Sequence, residues 1–123
     1  MSKKKILLVD DSVTSLFMER MTLKHGPYDL VTASDGQQGV ERALAERPDL
    51  IVMDVVMPRM TGLEALRELR SKPETRGTPV ILVTTRGEPA NVEAGYESGC
   101  TDYLTKPFDP EELLVKVQAC LGA

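Results

Sequence analysis

The chain has no tryptophan and only five aromatic residues, three Tyr and two Phe, among its 123 residues. An aromatic-rich core is therefore excluded, and the interior must be aliphatic. Cysteine is almost as scarce. Cys100 and Cys120 have neither metal-ligand nor redox-motif spacing, which excludes a disulfide scaffold and suits a reducing, cytoplasmic compartment. No apolar run approaches the length of a membrane span, and the run after Met1-Ser2-Lys3-Lys4-Lys5 is too short for a signal peptide. The formal charge of −4 leaves no basic footprint for direct nucleic-acid or anionic-membrane binding. The single histidine, His25, is expected in the last turn of the first helix, where it favours the negative end, and not in a catalytic or phosphodonor role. Internal repeats, low-complexity segments and linkers are also missing, so residues 1–123 are expected to form one domain.

What the chain does have is a set of unalternating apolar runs that end in chemistry. Leu50-Ile51-Val52-Met53 runs without a polar break into Asp54. A segment buried on both faces reads this way, and its terminal charge must sit where the segment emerges. Ile6-Leu7-Leu8-Val9 repeats the pattern into Asp10-Asp11, Val80-Ile81-Leu82-Val83 into Thr84-Thr85, and a shorter strand from Asp102 to Thr105 into Lys106-Pro107-Phe108. A fifth strand fits Asp29 to Ala33.

Helical spacing fills the gaps. Ser12 to His25 carries Val13, Leu16, Phe17 and Met21 as the expected inner face of the first helix. Ser34-Asp35-Gly36 caps a second helix containing Val40, Ala43 and Leu44; Thr61-Gly62 opens a third facing inward through Leu63, Leu66 and Leu69. Pro89 starts a fourth, apolar-poor helix that carries Gly95 and closes at Gly99; it is expected to be the least stable element. Asp109-Pro110-Glu111-Glu112 is a strong start for the fifth, whose inner face is Leu113, Leu114, Val117 and Leu121.

Strand and helix thus alternate five times, which predicts an α/β fold with a parallel sheet covered on both faces. In the flavodoxin-like, doubly wound order 2-1-3-4-5, Asp10, Asp11, Asp54, Thr84 and Lys106 would gather at the carboxyl edge of the sheet. Three crowded carboxylates call for a cation, and an all-oxygen donor set favours a hard ion such as Mg²⁺. A metal, an ammonium and a hydroxyl can share the charge of a phosphoryl group in transfer, with the central Asp54 as nucleophile.

These residues together resemble the response-regulator receiver domains of bacterial two-component signalling, the single-domain chemotaxis-type regulator above all. The likeness covers essentially the whole chain: Asp10-Asp11, Asp54 with Met57-Pro58 and Gly62, Thr84, and Lys106-Pro107-Phe108. The resemblance implies that Asp54 accepts a phosphoryl group from a histidine kinase or phosphotransfer protein. It implies Mg²⁺ on Asp11, Asp54 and the Val56 carbonyl, with Asp10 acting mainly through a metal-bound water. Lys106 would pair with the phosphate, Thr84 would move towards it, and Tyr103 matches the aromatic position that turns inward in response. It also raises the expectation of a cis Lys106-Pro107 bond above the general rate of about 5–6% for such bonds. Thr85 stands where a small residue is usual, and Val56 and Arg86 occupy positions that influence hydrolysis in relatives.

Two other functions fit parts of the pattern. A metal-dependent aspartyl phosphatase would place its nucleophile on the first strand in an Asp-x-Asp arrangement and carry a cap, and neither is visible. A flavin-binding domain would want a glycine- and hydroxyl-rich loop where Asp10-Asp11-Ser12-Val13 stands. The expected outcome is a regulatory module, not an enzyme. It would act on a separate protein through the fourth helix, fifth strand and fifth helix, as a monomer or a phosphorylation-dependent dimer, or serve as the receiver of a longer transcription factor or signalling enzyme.

Overall fold

The structure is a computed structural model that describes residues 3–85 and 89–122. Strand and helix alternate throughout: β1 (Lys4–Val9), α1 (Val13–Leu23), β2 (Tyr28–Ala33), α2 (Gly36–Glu46), β3 (Leu50–Asp54), α3 (Gly62–Ser71), β4 (Val80–Thr85), α4 (Pro89–Glu97), β5 (Asp102–Lys106) and α5 (Pro110–Leu121). All strand pairs are parallel, in the order β2-β1-β3-β4-β5. This is the flavodoxin-like topology that the alternation predicted.

The apolar runs become strands because their side chains are covered on both sides of the sheet. Every residue of β3 is buried, as are Ile6 to Val9 of β1. On one face, Leu7, Val9, Ile51, Met53, Val80 and Leu82 meet Val40 and Ala43 of α2 and Ala65, Leu66 and Leu69 of α3. On the other, Ile6, Leu8, Leu50, Val52, Ile81 and Val83 meet Leu23 of α1 and Leu113 and Val117 of α5. Full burial of each large aliphatic side chain is worth about 1.5–3 kcal/mol, and this double layer is what holds the strand ends in register.

Local signals set the helix ends. Ser12 Oγ accepts from the Ser15 N–H at 3.2 Å, and Asp35 from Gln38 at 2.8 Å. Thr61 and Glu64 form a reciprocal capping box, as do Asp109 and Glu112. Gly62 is a packing necessity: a Cβ there would run into the carbonyl of Asp54. Gly95 of α4 likewise permits close approach, since a Cβ would stand 2.8 Å from Leu82 Cδ1. The Lys106-Pro107 peptide bond is cis.

The first helix corrects the sequence-based expectation. Of its supposed inner face, Val13, Phe17 and Met21 are 81%, 59% and 43% exposed, and only Leu16 is partly buried against the core. The face turned inward carries Glu19 and Leu23, both buried. The helix also ends at Leu23, so that His25 lies in the following turn, exposed. The physical reason is that Leu16 and Leu23 are the residues of this helix that pack against the core, which turns Val13, Phe17 and Met21 to the outside.

Candidate functional site

The sheet register brings the chemistry together. Val9 lies opposite Met53, so Asp10 and Asp54 each follow one member of a cross-strand pair. Asp54 in turn is paired with Val83, one residue before Thr84, and Thr84 and Thr85 lie opposite Thr105 and Lys106. The side chain of Lys106 crosses the strand ends to reach both acids. Its Nζ donates to Asp10 Oδ2 at 2.8 Å, to Asp54 Oδ2 at 3.3 Å and to Ser15 Oγ at 3.1 Å. Asp10 is further fixed by the Ser12 N–H, which donates to its Oδ1 at 2.9 Å.

Three carboxylates share this edge. Asp10, Asp11 and Asp54 each present an oxygen within 4.8 Å of the others; Asp10 and Asp54 are buried while Asp11 is exposed. An all-oxygen set of this size and openness fits a hard divalent cation that keeps part of its water shell. Burial, and then the charge of Asp10, raises the Asp54 carboxyl from its ordinary value to about 6, with Lys106 opposing the shift. For Lys106, burial favours the neutral amine, but its bond to Asp10 and the charges of Asp54 and Asp10 outweigh it and hold the ammonium more firmly.

The remaining predicted positions surround this centre. Thr84 is buried at the end of β4. Met57 is buried in the core, and Val56 is 57% exposed in the loop after β3. Tyr103 is half-buried in edge-to-face contact with Tyr96, at 5.8 Å between ring centroids, with Lys116 Nζ 5.7 Å from its own ring centre. Thr85 is placed by its backbone in β4, while Arg86 lies outside the described residues.

Two residues of the site escaped the sequence reasoning. Ser15 holds the Lys106 ammonium, and Glu19, one helical turn further on, is 2% exposed. Burial first, then the charges of Asp10 and Asp54, push the Glu19 carboxyl up to about 8, against the opposing pull of Lys106. The signal was present as the spacing Ser15, Glu19, Leu23, a single helix face that ends in a core leucine.

Known proteins agree with this geometry. The family model of the response regulator receiver domain matches residues 6–118. Protein PilH of Pseudomonas aeruginosa is 42% identical over 96% of this chain and 98% of its own length. The transcriptional regulatory protein PhoP of Bacillus subtilis, for alkaline phosphatase synthesis, is 39% identical over 96% of this chain, which spans only 48% of that protein. The chemotaxis response regulator CheY4 of Vibrio cholerae superposes with a TM-score of 0.90 at 38% identity, covering 97% of this chain and 99% of that one. A receiver domain of a Pseudomonas aeruginosa sensor histidine kinase, solved with magnesium in its active-site cleft, gives a TM-score of 0.90 at 32% identity over 98% and 99% of the two chains. Strand order, the strand-end acids with their lysine, and the family match lead to one conclusion: this chain belongs to the response regulator receiver family, whose members are regulatory domains of signalling and not classical enzymes.

Proposed function

We propose that this chain is one receiver domain that works as a phosphorylation-controlled switch, with Asp54 as phosphoryl acceptor. The observation that carries this is the Lys106 ammonium held between Asp10 and Asp54 at the carboxyl edge of the sheet. An Asp54 oxygen attacks the phosphorus of a phosphohistidine; the new P–O bond forms as the P–N bond breaks, and the electron pair leaves with the donor imidazole, which takes up a proton. Asp11, Asp54 and the Val56 carbonyl would hold Mg²⁺ directly and Asp10 mainly through a metal-bound water, and the ion when bound would offset the crowded negative charge of carboxylates and phosphoryl oxygens. Lys106 gives the phosphate a fixed cation, and the Thr84 hydroxyl gives it a donor.

The output follows from the same elements. Thr84 moving towards a phosphate on Asp54 would free space for Tyr103, whose packing on Tyr96 and Lys116 ties β5 to α4 and α5. A downstream protein, or an output domain on a longer chain, would read that surface. The donor would be a cytoplasmic histidine kinase or phosphotransfer protein, with Val56, Thr85 and Arg86 tuning the lifetime of the acyl phosphate.

Incubation with acetyl phosphate followed by intact mass tests the acceptor. One added phosphoryl group is expected, dependent on Mg²⁺ and lost in Asp54→Ala; its persistence in that variant would sink the assignment. Decay of the same signal is expected to run at a different rate in Val56→Asn, and an unchanged rate removes Val56 from the mechanism.

A further inference from the structure

Helix α1 and the loop between β5 and α5 flank an open cavity of about 460 Å³, lined among others by Met18, Glu19, Thr22, Lys106, Pro107 and Phe108. Glu19 is buried, and among the described residues its Oε1 has no hydrogen-bond partner. A buried oxygen without a partner is costly and rare enough to require a reason. Lys106 shows the opposite situation: Asp10, Asp54 and Ser15 take all three of its donors. Ser15 precedes Glu19 by one turn on the same face of α1, so the two present neighbouring acceptors to the lysine side of the cavity.

A divalent cation on the three aspartates changes this balance. Asp54 would then turn an oxygen to the ion and Asp10 one to its bound water, and the ion's charge would repel an ammonium held on the same carboxylates. A lysine head on a flexible four-carbon stem can relocate if a further acceptor is near, and the shared cavity leaves room for the movement.

We propose that Glu19 is a positioning residue: a second seat for the Lys106 ammonium, taken when a divalent cation occupies Asp10, Asp11 and Asp54 and the lysine gives up Asp10. This rests on the metal site proposed above. Besides burial, Asp10 and Asp54 push the Glu19 carboxyl up and Lys106 pulls it down, so all four groups lie within one electrostatic field. The seat keeps the lysine beside the site, ready for an incoming phosphate, instead of releasing it to solvent.

The test uses the full chain, its Glu19→Gln and Glu19→Leu variants, Mg²⁺ titration by calorimetry, and a crystal structure of the Mg²⁺-loaded wild type. In that structure Lys106 Nζ is expected within hydrogen-bond distance of a Glu19 oxygen and away from Asp10. Glu19→Leu, which removes the acceptor, is expected to bind Mg²⁺ about tenfold more weakly, the loss of one charge-assisted hydrogen bond. Glu19→Gln keeps an acceptor oxygen and is expected within about threefold of the wild type. A lysine still on Asp10 in the loaded structure, wild-type affinity in Glu19→Leu, or equal weakening in Glu19→Gln would overturn the proposal. Failure of the wild type itself to bind Mg²⁺ would remove the metal site, and the second seat with it.

Discussion

Helix α3 turns Ala65, Leu66 and Leu69 inward and all three are buried, while α1, of similar length and likewise opened by a hydroxyl cap, turns Val13, Phe17, Met18 and Met21 outward. Both helices follow a strand that ends in acid, yet they stand differently towards the site. Helix α3 begins at Gly62, whose N–H donates to Val55 O at 2.8 Å, so it supports the acceptor strand through backbone and can give its whole inner face to the core. Helix α1 supplies side chains to the site itself: Ser15 to Lys106, and Glu19 behind it. Helix α1 buries Leu23 and part of Leu16 beside the polar site, and its other large hydrophobic residues, Val13, Phe17, Met18 and Met21, are left on the outside. Apolar periodicity therefore identifies a helix more securely than it identifies the face that is buried.

The comparison breaks most visibly in α3. Leu66→Ala should destabilise the fold by about 2–5 kcal/mol in urea denaturation, because it empties a fully buried position between the helix and the sheet. A loss under about 1 kcal/mol would mean that α3 is not anchored as its burial implies.

Glu19→Leu sharpens the contrast from the other side. The Glu19 carboxyl is raised in the fold from 4.5 to about 8, so the native state binds its proton more tightly than the unfolded chain does. Its stabilising contribution is complete below about pH 4.5 and is lost as the pH rises through about 8. The leucine variant has no such loss, and its advantage over the wild type should grow by about 2 kcal/mol between pH 5 and pH 8, as relaxation around the carboxylate trims the full linkage value. Unfolding curves of both proteins at the two pH values measure it, and a pH-independent difference would show that Glu19 is not buried as described. Greater stability with weaker Mg²⁺ binding would mark Glu19 as a position kept for function at a cost in stability.

The smallest effect belongs to the outer face of α1. Phe17→Ala should change stability by no more than about 0.5 kcal/mol, since the ring is 59% exposed. A core-sized loss would restore the inner face expected from the sequence.

Much of this molecule was legible in the chain. The unalternating runs Ile6–Val9 and Leu50–Met53 announced strands covered on both faces, and the caps at Asp35, Thr61 and Asp109 announced their helices. Asp10 and Asp54 stood out because each ends such a run and Lys106 because it ends the short strand from Asp102, and the register does bring them to one edge. Ser15 and Glu19 were passed over because a serine and a glutamate within a helical segment read as solvated positions until the lysine that they face is known. Gly95 was legible as a weak helix residue, but its close approach to Leu82 was not.

The sequence by itself determined the alternation of elements, since apolar period, capping and turn residues act over a few positions. Tertiary structure alone decided that Lys106 reaches Asp54 and Asp10 across 52 and 96 residues of chain, which face of α1 would be buried, and that Glu19 would lose its water. Those outcomes depend on contacts between distant segments: strand register brings Lys106 to the two acids, and Leu16 and Leu23 pack α1 against the core and carry Glu19 inward with them.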